Sequence, residues 1–299
     1  MPLVLGVDLG ATNLRVALGE PSGAIAARAT EPVPATGELL AQRVAALGRA
    51  LAGGEPIAGV AVGVPGVPDG HGFSSMIAGA AGLAGAPLQD LLGAALGLPV
   101  VIENDCNLAA LGEQRRRGVA DLAFIAVGTG VGMGIVSGGR LLRGATGGAG
   151  ELGHLPLGGT AAADGGAGPL EALGGIAAAG NGLGPLEAIA GGAGLAARWS
   201  GPAPAVFAAA ARGDERARRL LDDQARALAA GVRAVQALLD PALVVLGGGI
   251  GSRPDVLERV RSALGRPAPP LEPSLLGEDA GLVGALITAG ERQEAKRSP

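Results

Sequence analysis

The chain has no tyrosine, three phenylalanines and one tryptophan among 299 residues. Proteins that hold single-stranded nucleic acid use aromatic faces for stacking and an excess of cations for the backbone. Here 23 basic residues stand against 27 acidic ones, a formal net charge of −4, so no nucleic-acid partner is expected. Cysteine occurs once, at Cys106, and histidine twice, at His71 and His154. A single cysteine cannot build a disulfide framework, which fits a reducing, cytoplasmic setting. Long apolar runs are missing too. The best candidate, residues 122–139, contains six glycines together with Thr129 and Ser137, and reads as two buried strands around a turn, so no membrane partner is expected. The segment Met1 to Val7 lacks the basic start and small-residue cleavage site of a signal peptide.

Glycine is abundant instead. With 56 glycines and 21 prolines the two make up about a quarter of the chain, a fraction that on its own suggests low complexity. Hydrophobic residues nevertheless reach 48%, charged residues only 17%, and the glycines keep no three-residue period, so neither disorder nor collagen is expected. Short Val- and Ile-rich runs read as buried strands: Leu3 to Val7, Ile57 to Val64, Val100 to Ile102, Leu122 to Val127, Gly132 to Val136 and Leu243 to Leu246. Helical stretches alternate with them at Gly37 to Leu51, Leu88 to Leu96, Asp105 to Arg116 and Asp214 to Leu239. The last carries an apolar stripe of Leu220, Leu221, Leu228, Val232, Val235 and Leu239 and stops before Pro241. This alternation predicts an α/β fold with ligands at strand ends, and the length predicts two lobes. Residues 144–194 predict loops and short helices beside a cleft, and the Pro-rich Arg266 to Pro273 an exposed extended connection.

Two turns carry phosphate-binding chemistry. In Gly6-Val7-Asp8-Leu9-Gly10-Ala11-Thr12-Asn13 a carboxylate ends an apolar strand, followed by Gly10 and the Thr12 hydroxyl. Backbone N–H groups and that hydroxyl could meet phosphate oxygens, with Asp8 holding magnesium through water; an ordinary hairpin turn is the other reading. Gly128-Thr129-Gly130-Val131-Gly132 repeats the pattern after the strand Leu122 to Val127, and the pair suggests a duplicated fold with a nucleotide between its halves. No lysine follows either turn, so neither is a Walker loop. Gly247-Gly248-Gly249-Ile250 ends a third strand and either packs a helix closely or meets a nucleotide base.

At Glu103-Asn104-Asp105-Cys106-Asn107 a strand runs into a helix, and Asp105 either caps that helix or serves as a general base. In Gly147-Gly148-Ala149-Gly150-Glu151-Leu152-Gly153-His154 a carboxylate and an imidazole stand three residues apart, within reach of one ligand.

These segments in this order, with Leu142-Arg143-Gly144-Ala145 ahead of Glu151 and Asp279 to Ala285 near the end, resemble the ROK family of repressors and sugar kinases. The resemblance implies a two-lobed actin-like ATPase fold of ribonuclease H type with duplicated sheet-and-helix lobes. The small lobe is expected over 1–116 with the helix 279–291 packed back on it, and the large lobe over 117–278. The resemblance further implies ATP and magnesium as cofactors, held by Asp8, Gly10, Thr12, Thr129, Gly130 and Gly248. Asp105 is then the base for phosphorylation of a hexose, and Asn104, Glu151, His154 and Glu171 meet the sugar hydroxyls. It also implies a homodimer. The phosphate turn starts at residue 6, which leaves no room ahead of it for the helix-turn-helix of the repressor members. Glucokinase activity is the expectation, with other hexoses, N-acetylhexosamines or a non-catalytic sugar sensor as alternatives.

Two departures qualify this. The family's structural zinc takes one histidine and three cysteines, and the matching run Ala162-Ala163-Asp164-Gly165-Gly166-Ala167-Gly168-Pro169-Leu170-Glu171 has no cysteine, so no zinc is expected. In Gly79 to Leu88, where the family has an asparagine that touches sugar, Gly79 and Leu83 stand at the matching places.

Overall fold

The computed structural model describes residues 2–10, 12–69, 72–75, 82–157 and 183–297. His71, Gly79 and Glu171 lie outside them. The described chain divides into two compact units, one made of Met1–Gly118, Gly134–Ala149 and Glu278–Pro299, the other of Val119–Met133 and Gly150–Gly277.

The first unit opens with β1 (Leu3–Leu9), β2 (Asn13–Gly19) and β3 (Ile25–Pro32), then α1 (Gly37–Ala52) and β4 (Ile57–Val64). A short ribbon follows, β5 (Gly66–Pro68) and β6 (Phe73–Ser75), and then α2 (Leu88–Leu96), β7 (Val100–Asn104) and α3 (Asp105–Arg117). The sheet order is β3-β2-β1-β4-β7, antiparallel through β1, β2 and β3 and parallel through β1, β4 and β7. Its parallel strands are apolar because both faces are covered. Along β1, Leu5, Val7 and Leu9 turn to one face and pack with Leu40 and Val44 of α1. Val4 turns to the other and packs with Ala61, Leu108, Ala285, Leu286 and Ala289. Thr36 caps α1 by accepting from the Leu39 N–H, and Gly53 ends it in the left-handed region at φ +57°.

β8 (Leu122–Val127), β9 (Val131–Ser137) and β10 (Arg140–Leu141) begin a second sheet. After α4 (Pro185–Ala190), α5 (Gly192–Trp199), α6 (Ala203–Ala211) and α7 (Glu215–Leu239) come β11 (Leu243–Gly247), α8 (Gly248–Gly251), α9 (Pro254–Leu264), β12 (Leu271–Pro273) and α10 (Ala280–Arg297). The order β10-β9-β8-β11-β12 repeats the first sheet's plan, an antiparallel arm joined to a parallel one. The α/β architecture with two like sheets is the one the sequence predicts. Asp214 caps α7 by accepting from the Ala217 N–H at 2.9 Å, and the helix ends at Asp240 before Pro241. Its stripe is buried except at Leu239, which is 38% exposed in the last turn.

The expected exposed connection 266–273 is partly a strand. Leu271, Glu272 and Pro273 pair in parallel with Val244, Val245 and Leu246, and Leu271 is buried. An edge position tolerates prolines, which have no N–H to give. No helix among the described residues is long and apolar enough to cross a membrane.

Helix α10 lies against α3 so closely that a Cβ on Gly284 would overlap the carbonyl oxygen of Leu108. Backbone cannot yield as a flexible side chain does. Gly284→Ala is therefore expected to cost about 1–3 kcal/mol of stability, read as a lower urea midpoint. An unchanged midpoint would show that the two helices are not held at this distance.

Candidate functional site

In the first unit the site is built on the corner where β7 becomes α3. Asn104 takes the capping position, its Oδ1 accepting from the Asn107 N–H at 3.0 Å, while its Nδ2 donates to the Gly66 carbonyl at 3.1 Å. The capping reading of Asp105 therefore passes to its neighbour. Asn104 caps the helix, and Asp105 stands at the first helical position, half-buried, its Oδ1 accepting from the Cys106 N–H at 2.7 Å. Glu103, to which sequence reasoning gave no role, is the buried hub of the corner. Its Oε1 accepts from the Asn104 N–H at 3.0 Å and from Asn107 Nδ2 at 2.9 Å. Its Oε2 accepts from Arg143 Nε at 2.6 Å. The second asparagine thus serves Glu103.

The turn after β1 is a hairpin turn, closed by the Gly10 N–H donating to the Asn13 carbonyl at 2.9 Å. The exposed Thr12 holds the neighbouring chain, its carbonyl accepting from the Val33 N–H. Asp8 faces Arg15 directly across the β1–β2 pair, and its Oδ2 lies 2.6 Å from Arg15 Nη2. Burial pushes the Asp8 carboxyl above its ordinary value, and the Arg15 guanidinium pulls it back. Arg15 also donates to the Glu278 carbonyl at 2.8 Å. A carboxylate already paired with a guanidinium is a poor direct magnesium ligand. Magnesium keeps most of its water and rests on phosphates and one or two carboxylates, so Asp8 fits a hold through water. Among the described residues no group of three or more His, Cys, Asp or Glu side chains is placed to hold a metal ion, and residues 162–171 lie outside them.

In the second unit, bare backbone brings three segments together. A Cβ on Gly130 would overlap Glu187 Oε1, one on Gly153 would come within 2.7 Å of the Val131 carbonyl, and one on Gly184 would overlap the Gly153 carbonyl. Glu187 Oε1 accepts from the Val131 N–H at 3.2 Å. Gly130 thus lies against the Glu187 carboxylate, at the turn for which the sequence suggested phosphate. Thr129 is exposed at the tip of its turn, its carbonyl accepting from the Ala193 N–H at the start of α5. Gly248, at φ +79° with the Val127 carbonyl 2.6 Å from a built Cβ, packs the end of β11 against β8, the packing reading of that glycine run.

Glu151 is half-buried and His154 exposed, at the two ends of a single helical turn over Leu152–His154. Burial pushes the Glu151 carboxyl above its ordinary 4.5, His154 pulls it down and Glu187 pushes it up. Two carboxylates and an imidazole thus share one neighbourhood. Sequence reasoning missed Glu187, although a signal was present: Gly168-Pro169-Leu170-Glu171-Ala172 recurs as Gly184-Pro185-Leu186-Glu187-Ala188.

A carboxyl raised on folding binds its proton more tightly in the folded chain. Its cost to stability is absent below the unfolded value and grows as pH rises through the folded one. Glu151→Gln removes that cost, so the variant should melt higher than the parent at about pH 7.5 and alike below about pH 4.5. A melting difference independent of pH would contradict the assignment.

The chain is 40% identical over 205 residues to the bifunctional enzyme NanE/NanK of Brucella suis, covering 66% of this chain and 36% of that protein. It therefore spans about a third of the length of that relative. To the N-acetylmannosamine kinase of Escherichia fergusonii it is 35% identical over 305 residues, covering 96% and 99% of the two chains. Among solved structures, the ROK hexokinase of Thermus thermophilus superposes with a TM-score of 0.78 at 31% identity, covering 99% and 100%. The ROK glucokinase of Streptomyces griseus, in complex with glucose and AMPPNP, superposes at 0.74 and 29%, covering 97% and 99%. The ROK family pattern matches residues 4–292, and the chain belongs to the ROK family.

Proposed function

We propose that the chain is an ATP-dependent sugar kinase with Asp105 as general base, acting on a hexose or N-acetylhexosamine, with N-acetylmannosamine as the first substrate to test. The observation that carries the reading is the β7–α3 corner: Asn104 is the N-cap, and Asp105 stands half-buried at the first helical position with one carboxylate oxygen on the Cys106 N–H. Phosphoryl transfer asks little covalent chemistry of a protein beyond a base, oriented phosphates and charge compensation. In this reading Asp105 accepts the proton of the attacking sugar hydroxyl. Glu151, Glu187 and His154 take other hydroxyls, Glu187 supplying what was expected of Glu171. Asn104, with one amide N–H beyond those already engaged, orients the same sugar. The backbone of the turns at Gly10 to Thr12 and Gly128 to Gly130 faces the phosphates, and magnesium, when bound with the nucleotide, supplies neutralising charge to them.

The choice of N-acetylmannosamine rests on the full-length curated relative, itself an N-acetylmannosamine kinase. Glucose, the expectation from sequence, is the second reading, favoured by the hexokinase and glucokinase among the superposed structures.

ADP release with magnesium, ATP and a panel of N-acetylmannosamine, N-acetylglucosamine, glucose, mannose and fructose tests the reading, with N-acetylmannosamine expected to give the highest kcat/KM. Dominance of glucose selects the second reading, and sugar-independent ADP release throughout removes both. Asp105→Ala should lose about 10²- to 10⁴-fold in kcat while keeping ATP binding. Full turnover in that variant would remove Asp105 from the role. Glu187→Gln should raise the sugar KM about 10- to 100-fold, the worth of a hydrogen bond to a charged group; an unchanged KM would leave Glu187 a packing residue.

A further inference from the structure

We infer that Arg143 is a positioning residue that acts on Asp105 through Glu103; the inference rests on the kinase reading above. An exposed arginine paired with a surface acid contributes little, because solvent screens the pair and both side chains lose freedom. This pair differs at its acid end. The Glu103 side chain is 5% exposed, against 52% for Arg143, and it already takes the Asn104 N–H and Asn107 Nδ2 on its other oxygen. Both donors belong to residues that flank Asp105 within one helical turn, and Asn104 Oδ1 closes that turn on Asn107. The carboxylate therefore fixes the peptide before Asn104 and the side chain two residues after Asp105.

A buried carboxylate is tolerated when a cation matches it, and removing the cation leaves its charge against neutral donors alone. The corner would then relax by admitting water or by turning the carboxylate outward, and either change releases Asn104 or Asn107. Arg143 is tied at its other end as well. Its carbonyl accepts from the Ala149 N–H at 3.1 Å, closing a loop that turns through the left-handed region at Gly144 and Gly147, φ +74° and +83°. A Cβ on Gly147 would press on Val67 Cγ1 at 3.1 Å, so that loop packs against the β5 strand whose Gly66 carbonyl receives Asn104 Nδ2. One residue thus joins loop 143–149 to the corner that carries the base, through backbone on one side and guanidinium on the other.

The test compares Arg143→Gln, Arg143→Lys, Glu103→Gln and the double Gln variant by steady-state kinetics and by hydrogen exchange of the peptide covering 103–108. Arg143→Gln should lower kcat about tenfold with the KM for ATP within about twofold, because misplacement of the base acts on the chemical step; any rise in the sugar KM through released Asn104 comes with that fall in kcat. Exchange at 103–108 should quicken. Arg143→Lys, which keeps the charge, should recover most of kcat. The double variant should match or exceed Arg143→Gln, since a neutral amide in place of the Glu103 carboxylate no longer needs a cation. A raised KM with kcat unchanged would mean that Arg143 touches a substrate directly, and additive losses in the double variant would separate the two residues; either overturns the inference, as does exchange indifferent to Arg143. If the parent releases no sugar-dependent ADP, the kinase reading fails on its own, and the exchange data still decide whether Arg143 holds the corner.

Discussion

Helix α3, which carries Asp105 at its first position, is held by backbone meeting backbone on two sides. A Cβ on Gly284 of α10 would overlap the Leu108 carbonyl, and one on Gly134 of β9 would overlap the Cys106 carbonyl. On a third side Gly63 of β4 leaves room for Leu108 Cδ1 at 3.0 Å. Such approaches fix a helix along its axis more tightly than interdigitated side chains can, because backbone has no rotamers through which to yield. The base role proposed for Asp105 needs placement within a fraction of an ångström. The placement of Asp105 begins with glycines far from it in sequence, and the composition that suggests low complexity is in part the means of setting that helix.

The strands and helices of the core were legible in the sequence because burial on both faces leaves continuous apolar runs, and amphipathic burial leaves a stripe. The antiparallel arm of the first sheet was not. In β3 the inward positions Ile25, Ala27 and Ala29 alternate with Ala26, Arg28 and Thr30 on an edge strand, too weak a pattern to separate from a loop. β12 was hidden by its prolines. At the candidate site the motifs were legible, but their division of labour was not. That Asn104 caps and Asp105 does not depends on a side-chain torsion, and that Arg15 neutralises Asp8 depends on the register of a hairpin whose second strand the sequence did not declare. Gly130 shows the limit most clearly: a bare position at a strand end has the same signature whether phosphate or a carboxylate from a distant part of the chain fills the space. Only the packing of Gly184 on Gly153 brings Glu187 there.

Two groups of acids in this sparsely charged chain are held in opposite ways. Asp8, Glu103 and Glu113 are buried, and each is matched to an arginine: Arg15 at 2.6 Å, Arg143 at 2.6 Å and Arg117 at 2.8 Å. A matched buried pair is costly to break and holds one geometry, which suits a hairpin turn, a strand-to-helix corner and the end of a helix. Glu151 and Glu187 are arranged the other way. They are half-buried; burial and then the Glu187 charge raise the cost of ionising Glu151, and the nearby imidazole of His154 relieves it only in part. A carboxylate held so makes a poor staple. Such an arrangement lowers in energy when something with several hydroxyl donors enters between them, and a sugar offers those donors without bringing a charge that would itself need burial. The matched acids build the frame, and the unmatched ones are those that the proposed function gives to the sugar.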